Sequence, residues 1–377
     1  MGKTLVIRYA AFGDWLYTLP TMRALYDRGE EVYLHTNRKG FDIFMQDDRL
    51  KEVSWFEPFV VPKEHQKSAI EGVWEALINR IRPDTLLHLS NTIEGMGLAQ
   101  REQPRYWNLS INKRRKLLGK KPFAVMPLHL CLGNEKDAYK EIETKGYAAM
   151  AFTSKEIEWA EKWRDANMGR FIVLMPLHGT TLHKQFPQCQ DWAETILKKY
   201  PLANVYLAGD GQGVNKPFGF DGRVTSTLGA PIRQLILMAR YADLVIGPPT
   251  GLLTASVMWG TPRIYLATDA SVRQLTYGAQ YDFSIQSQTK CSPCNRAIYE
   301  PSDCHVPVRD SGLSECSYTF DKEEVMNRVE FVYSRCPWSW SGRHRTPLYV
   351  SKVPPPIEAI DWKPEPLSGI AAGAAAL

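Results

Sequence analysis

The chain has 377 residues, 44% hydrophobic and 23% charged, with a formal net charge of +5. This is a soluble globular composition with length for two domains, and no run of about 18 apolar residues is available to span a membrane. The small positive balance favours anionic ligands without implying nucleic acid.

The opening "MGKTLVIRYAAFGDW" lacks the long apolar core and cleavage site of a secretory signal. Val6 stands where myristoylation needs Ser or Thr, and "GKT" has no upstream glycine loop to make a P-loop. These features predict a cytoplasmic protein. "TLVIRY" reads as a strand, "LPTMRALYDRG" as a helix ending at Gly29, and "EVYLHT" as a second strand. "FDIFMQDD" looks helical, "EVSWFE" extended, "QKSAIEGVWEALINRIR" helical up to the following proline, and "DTLLHLS" a buried strand. The pattern restarts with the helix "SKEIEWAEKWRDANMG", then "FIVLMPL", "CQDWAETILKKY", "NVYLAGD", "PIRQLILMARYA", "DLVIGP", "TGLLTASVMWG" and "PRIYLA". Strands alternating with helices predict an α/β chain of two doubly wound, Rossmann-like halves, parallel-stranded and covered on both faces. The halves, 1–154 and 155–345, would face a cleft, with ligands at the carboxyl ends of their strands. Residues 346–377, rich in Pro, Gly and Ala, read as an extended or disordered tail.

Four stretches at predicted strand ends could carry chemistry. In "AAFGDWLYTLP", Gly13 allows a close turn and Asp14 lies between Phe12 and Trp15. An Asp at a helix start is commonly a cap, whereas a partly desolvated one can serve as a base. In "MPLHGTTLHKQFP", Gly179, Thr180, Thr181 and Lys184 offer a turn, hydroxyls and an ammonium, which suit a phosphate or an ordinary polar loop. In "VIGPPTGLLTASVMWGTP", Thr250 and Gly251 open a helix whose N-terminus can face an anion or simply be capped. "NVYLAGDGQG" resembles a dinucleotide fingerprint only loosely and reads as a glycine turn.

In this order the stretches resemble glycosyltransferase family 9, the heptosyltransferase-like enzymes of lipopolysaccharide synthesis. "LVIRYAAFGDWLYTLPTMRAL", "RIRPDTLLHLS", "VLMPLHGTTLHKQFP" and "LGAPIRQLILMARYADLVIGPPTGLLTASVMWGTPRIYL" carry that resemblance over roughly residues 4 to 270. It implies the GT-B fold, with an acceptor-side first domain and a nucleotide-sugar-binding second one. It implies transfer of a sugar, such as a heptose, from a nucleotide-diphosphate donor, ADP-linked in the family, to a saccharide acceptor with inversion. By position, Asp14 would be the general base, and Arg8 beside Gly13 would assist the acceptor or leaving group. Thr180, Thr181, Lys184, Thr250 and Gly251 would hold the diphosphate, with no catalytic metal required. The family block usually reads Asp-Thr-Gly-x-x-His; Pro249 and Thr254 stand here at the Asp and His positions. That departure leaves the donor open, and a non-catalytic nucleotide- or glycan-binding descendant of the fold is the alternative reading. An epimerase on the same fold lacks its usual acid pairs.

Two features lie outside those stretches. Cys291, Cys294, Cys304 and Cys316 cluster in the second half, where structural zinc, free thiols and disulfides are all open. "NKRRKLLGKK", residues 112–121, is either a solvated helix face or a basic lip for an anionic saccharide or glycolipid acceptor, with peripheral contact to the inner membrane surface. Its lack of regularly spaced aromatic residues argues against nucleic acid.

Overall fold

The computed structural model describes residues 2–9, 11–57, 60–89, 121–147, 150–177, 179, 184–208, 222–227, 229–295, 304, 313–335, 349–352 and 365–366. Contacts divide the chain into two compact units, Met1–Thr153 with Pro347–Pro354, and Ser154–Thr346 with Pro355–Leu377.

The first unit opens with β1 (Lys3–Arg8), whose residues Thr4 to Arg8 are all buried, as a central parallel strand requires. It continues through α1 (Phe12–Leu16), α2 (Leu19–Asp27), β2 (Glu31–Thr36), α3 (Arg38–Phe44), β3 (Glu52–Trp55), α4 (Lys63–Ile81) and β4 (Thr85–His88). Pro20 lies in the first turn of α2, where its missing N–H has no helical partner to lose. Gly29 follows that helix at φ +68°, and Arg82 takes the left-handed conformation just before Pro83. The sheet is parallel in the order β3-β2-β1-β4. Leu5, Ile7 and Tyr9 pack with Ile70, Trp74, Leu77 and Ile81 of α4 to form one face of its core. Two further helices, α5 (Val125–Leu132) and α6 (Glu135–Lys145), were not anticipated from the sequence. The short strand β5 (Ala151–Phe152) closes the first stretch.

The second unit runs through α7 (Ser154–Asp165), β6 (Phe171–Pro176), α8 (Cys189–Lys199), β7 (Ala203–Ala208), β8 (Val224–Ser226), α9 (Ile232–Tyr241), β9 (Leu244–Gly247), α10 (Gly251–Trp259), β10 (Arg263–Ala267), α11 (Val272–Thr276), β11 (Ile285–Gln286) and α12 (Lys322–Arg335). Val325, Val329 and Val332 line one stripe of α12 and join the core built on β6, β7, β9 and β10. Two buried ion pairs tie α7 into this unit. Arg164 Nη1 lies 3.0 Å from Asp243 Oδ2, and Arg233 Nε lies 2.6 Å from Glu156 Oε1. Asp243 also accepts the Ile172 backbone N–H at 2.8 Å, so its charge is compensated from two sides.

The tail contributes two short strands. β12 (Tyr349–Val350) pairs in parallel with β5, and β13 (Glu365–Pro366) lies antiparallel to β8. The seven-stranded sheet therefore reads β11-β10-β9-β6-β7-β8-β13.

Candidate active site

Each sheet reverses its winding once. In the first unit the chain moves outward from β1 through β2 to β3, then returns to place β4 on β1's other side. In the second it moves from β6 through β7 to β8, then places β9 beside β6. At such a switch point the loops leave in opposite directions, opening a crevice at the carboxyl ends of the two strands.

The first switch point carries Arg8, Gly13, Asp14 and His88. Arg8 ends β1 with only 5% of its surface exposed, and its Nη1 donates to the Leu89 carbonyl at 3.1 Å, bridging β1 and β4. Its other end reaches 3.9 Å from Asp14 Oδ1, a loose pair in which the carboxylate side chain is half exposed. Burial lowers the Arg8 guanidinium from its ordinary value and the Asp14 charge raises it again. Asp14 sits in the short α1, whose cap position Ala11 supplies no side-chain bond. The Asp14 carboxylate accepts no hydrogen bond from the helix end among the described residues and lies 3.9 Å from Arg8 Nη2.

Two histidines lie beneath. His88 is fully buried, its ring centroid 4.9 Å from that of Trp74, and neither ring nitrogen has a hydrogen-bond partner among the described residues. Burial, then the Arg8 charge, pushes His88 down to about 3. His35 is satisfied instead: Trp74 Nε1 donates to Tyr9 Oη at 3.0 Å, Tyr9 lies 2.7 Å from His35 Nε2, and His35 Nδ1 lies 2.9 Å from Ser54 Oγ. Tyr9 and Ser54 thus satisfy both ring nitrogens of His35 in either tautomer. Burial pushes His35 down to about 4, against a smaller upward pull from Glu52. Neither histidine was singled out from the sequence. A lone histidine in an apolar run carries no spacing that distinguishes it from core.

The second switch point carries Gly179, Lys184, Thr250 and Gly251. Gly247 ends β9 at φ +155°, and a Cβ there would stand 2.6 Å from the Pro176 carbonyl that ends β6. Glycine is what lets the two strand ends approach so closely. After β6, the Gly179 N–H donates to the Lys184 carbonyl at 2.7 Å, closing a tight loop. The Lys184 side chain crosses Gly179, where an added Cβ would meet its Cβ at 2.8 Å. Its ammonium has no ion pair among the described residues. After β9, Thr250 caps α10 in an extended conformation without a side-chain cap bond, and its buried hydroxyl has no partner among the described residues. Free N–H groups, an unpaired hydroxyl and a lysine loop on neighbouring strands are donors for an anion. Thr254 points elsewhere: its hydroxyl donates to the Thr250 carbonyl at 3.2 Å and meets Tyr265 Oη at 3.3 Å. Thr180 and Thr181 lie outside the described residues, as do the glycines 209, 211 and 213.

The cysteines gather near the end of β10. The turn of Cys291 and Cys294 is tied there by Asn295 N–H to the Asp269 carbonyl at 2.7 Å and by Ser292 Oγ to the Thr268 carbonyl at 2.6 Å. Burial pushes Cys316 up to about 12, helped by the fields of Cys304, Cys291, Cys294 and Asp269. Cys291 is raised by burial as well, with Cys304 and Glu315 adding to it. The four sulfurs thus lie within one another's field. Among the described residues no disulfide links them, and no three Cys, His, Asp or Glu converge closely enough to hold a metal ion as they stand. Of the basic stretch only Lys121 is described; it is buried and paired with Glu135 at 2.7 Å. No described helix is long and apolar enough to cross a membrane.

No family model matches the sequence, and no match to it is found among curated proteins. Solved structures do match. A family 9 glycosyl transferase from Veillonella parvula superposes with a TM-score of 0.63 at 10% identity, covering 88% of this chain and 97% of that one. ADP-heptose lipopolysaccharide heptosyltransferase II of Escherichia coli gives 0.61 at 12% identity, with coverages of 88% and 98%. The iron-containing dodecameric glycosyltransferase TibC of enterotoxigenic E. coli gives 0.55 at 12% identity, covering 88% and 78%. The chain has the fold of the family 9 glycosyltransferases. Its two Rossmann-like units are those of the GT-B architecture, with the candidate residues at both switch points.

Proposed function

We propose that the chain is an inverting glycosyltransferase acting on a nucleotide-diphosphate sugar and a saccharide acceptor. The observation that carries this reading is the placement of complementary chemistry at the two switch points, a carboxylate in one unit and anion donors in the other. Asp14 takes the proton of the acceptor hydroxyl as its oxygen bonds to the anomeric carbon. The bond from that carbon to the donor phosphate oxygen breaks, and the nucleoside diphosphate leaves with the electron pair. Lys184 and the N–H groups of Thr250 and Gly251 bind the diphosphate, joined by Thr180 and Thr181. Arg8, held by Leu89, keeps the Asp14 carboxylate oriented. An ADP-linked heptose is the donor suggested by the heptosyltransferase neighbour, and an anionic saccharide or glycolipid the acceptor suggested by the chain's positive balance.

The second reading, a binding protein without turnover, draws on Pro249 and Thr254. The proline offers no N–H, and the Thr254 hydroxyl is committed within its own helix and to Tyr265. Thermal-shift screening of nucleotide sugars, followed by turnover of wild type and Asp14→Asn with the best binder, separates the two. The transferase reading expects unchanged donor binding and a loss of transfer of at least about 100-fold in Asp14→Asn. Donor binding without transfer by wild type favours the second reading, and no nucleotide binding removes the transferase and leaves glycan binding as the form of the second reading.

A structural metal at Cys291, Cys294, Cys304 and Cys316 would require these side chains to draw closer together than they stand. Four cysteines are a ligand set that suits zinc or iron, which would bind them as thiolates and displace their protons. Metal analysis with a thiol count before and after chelation tests this; a metal-free protein with four reactive thiols in this segment overturns it.

A further inference from the structure

The carboxyl edge of the first sheet carries a second set of side chains that Asp14 chemistry does not use. Arg8, Thr36 and Trp55 are in register across β1, β2 and β3, so Trp55 lies two strand spacings, about 10 Å, from the strand that carries Arg8. Trp55 is 45% exposed, unusual for a tryptophan ending a strand in a packed sheet. Arg38 lies over it, with Cζ 5.4 Å from the Trp55 ring and 5.6 Å from that of Phe41. The Phe41 and Trp55 rings are 6.3 Å apart, and Arg38 Nε is fixed by Asp42 Oδ1 at 3.0 Å. Glu57 reaches back to the Arg38 backbone N–H at 3.4 Å. An exposed indole is thus edged by a guanidinium that a carboxylate holds in place.

This patch is rigidly joined to the Asp14 turn. Gly40 of α3 sits where any Cβ would fall 1.9 Å from Thr36 Oγ1 and 2.4 Å from Trp15 Nε1. Trp15, the neighbour of Asp14, is therefore pressed directly against the helix that supplies Arg38, Phe41 and Asp42. Only glycine permits that approach.

We propose that Trp55, with Arg38, Phe41 and Asp42, holds a saccharide unit of the acceptor one to two sugars away from the hydroxyl that Asp14 deprotonates. A pyranose has an apolar C–H face that suits the electron-rich face of an indole, and a rim of hydroxyls that suits guanidinium and carboxylate partners. Trp55 lies two strands across the sheet from β1, so a saccharide that touches both the patch and Asp14 needs more than one ring, and the patch favours oligosaccharides over monosaccharides. The acceptor role rests on the transferase reading; sugar stacking on Trp55 does not.

The test uses the full chain against a panel of neutral and phosphorylated hexose and heptose oligosaccharides of one to four units, read by calorimetry and saturation-transfer NMR. Wild type should bind at least one member of two or more units. Trp55→Ala should weaken it about tenfold or more, and Trp55→Phe should restore most of the loss. Thermal melts of both variants confirm folding, which the exposed ring should leave intact. No saccharide binding by wild type, or equal affinity in folded Trp55→Ala, overturns the proposal. Saccharide binding through Trp55 without nucleotide binding or transfer leaves the subsite standing and removes the transferase. Nucleotide binding and transfer with an unchanged acceptor KM in Trp55→Ala does the reverse.

Discussion

The two switch points share a backbone plan and oppose each other in chemistry. The first places a half-exposed carboxylate beside a buried guanidinium, above two neutral histidines. The second places a lysine loop, a hydroxyl without a partner among the described residues and a helix N-terminus beside a strand end pinched by Gly247. A Rossmann-like sheet dictates where a ligand can sit, while the few residues after each strand dictate which charge it carries. The units also differ in how buried polar groups are satisfied. The second pairs the buried Arg164 and Arg233 with fully buried carboxylates; the first buries two imidazoles that stay neutral.

That difference predicts the largest effect. Glu156→Ala strands the Arg233 guanidinium in the second unit and should cost about 3–5 kcal/mol. Its first-unit counterpart, Glu52→Ala at the surface pair with Arg80, should cost less than about 1 kcal/mol. Denaturant melts of the two variants give the contrast, and equal losses would break it.

Acid should act on the units in the opposite order. His35 and His88 fold with values near 4 and 3, below the ordinary 6.5. The unfolded chain therefore binds more protons between those limits, so stability is complete above about pH 6.5 and falls as the pH drops toward 4. Each histidine contributes up to about 1.4 kcal/mol per pH unit in that window, or roughly 2–4 kcal/mol for the pair at pH 5. His178, His183, His305 and His344 of the second unit lie outside the described residues, so the acid loss assigned to His35 and His88 belongs to the sheet that holds them. Hydrogen exchange at pH 7 and pH 5 should show protection lost first in the sheet of β1 to β4. Uniform loss across both units would contradict the assignment.

At the second switch point, Lys184→Ala should weaken donor nucleotide binding about tenfold, the scale of one charge-assisted hydrogen bond. Arg8→Met in the first unit should leave nucleotide affinity unchanged. Titration of both variants with the nucleotide found by thermal shift sharpens the division of labour, and a shared loss would blur it.

Much of this was legible in the sequence. The strands that end at Arg8, Pro176 and Gly247 are continuous apolar runs, and turn residues follow each of them. The helices α5 and α6 lie between the two alternating halves and α12 after the second, so none belongs to the pattern that organised the rest. α5 is apolar nearly throughout, so its periodicity says little; α12 shows its stripe only once its partners on β6 and β7 are known. Trp55 looked like an ordinary strand residue, since a sequence cannot show that its ring lies at an open edge. The cysteine spacing identified a cluster without fixing its geometry, because the sulfurs come from three separate stretches.

The smallest effect is the most discriminating test of how the first unit is built. His35 and His88 are both buried and neutral, yet only His35 has hydrogen-bond partners among the described residues. His35→Leu leaves the Tyr9 hydroxyl and Ser54 short of a partner and should cost about 1–3 kcal/mol at pH 7. His88→Leu removes two unpaired polar atoms from an apolar site and should shift stability by less than about 1 kcal/mol. Both should lessen the acid sensitivity, because each removes one proton-binding site from the unfolded chain. If His88→Leu were as costly at pH 7 as His35→Leu, the His88 ring would have to be satisfied by a partner, and the contrast between paired and unpaired histidines would fall. A near-neutral His88→Leu with a reduced pH slope would show that this strand end tolerates an unsatisfied imidazole beside the cation that holds Asp14.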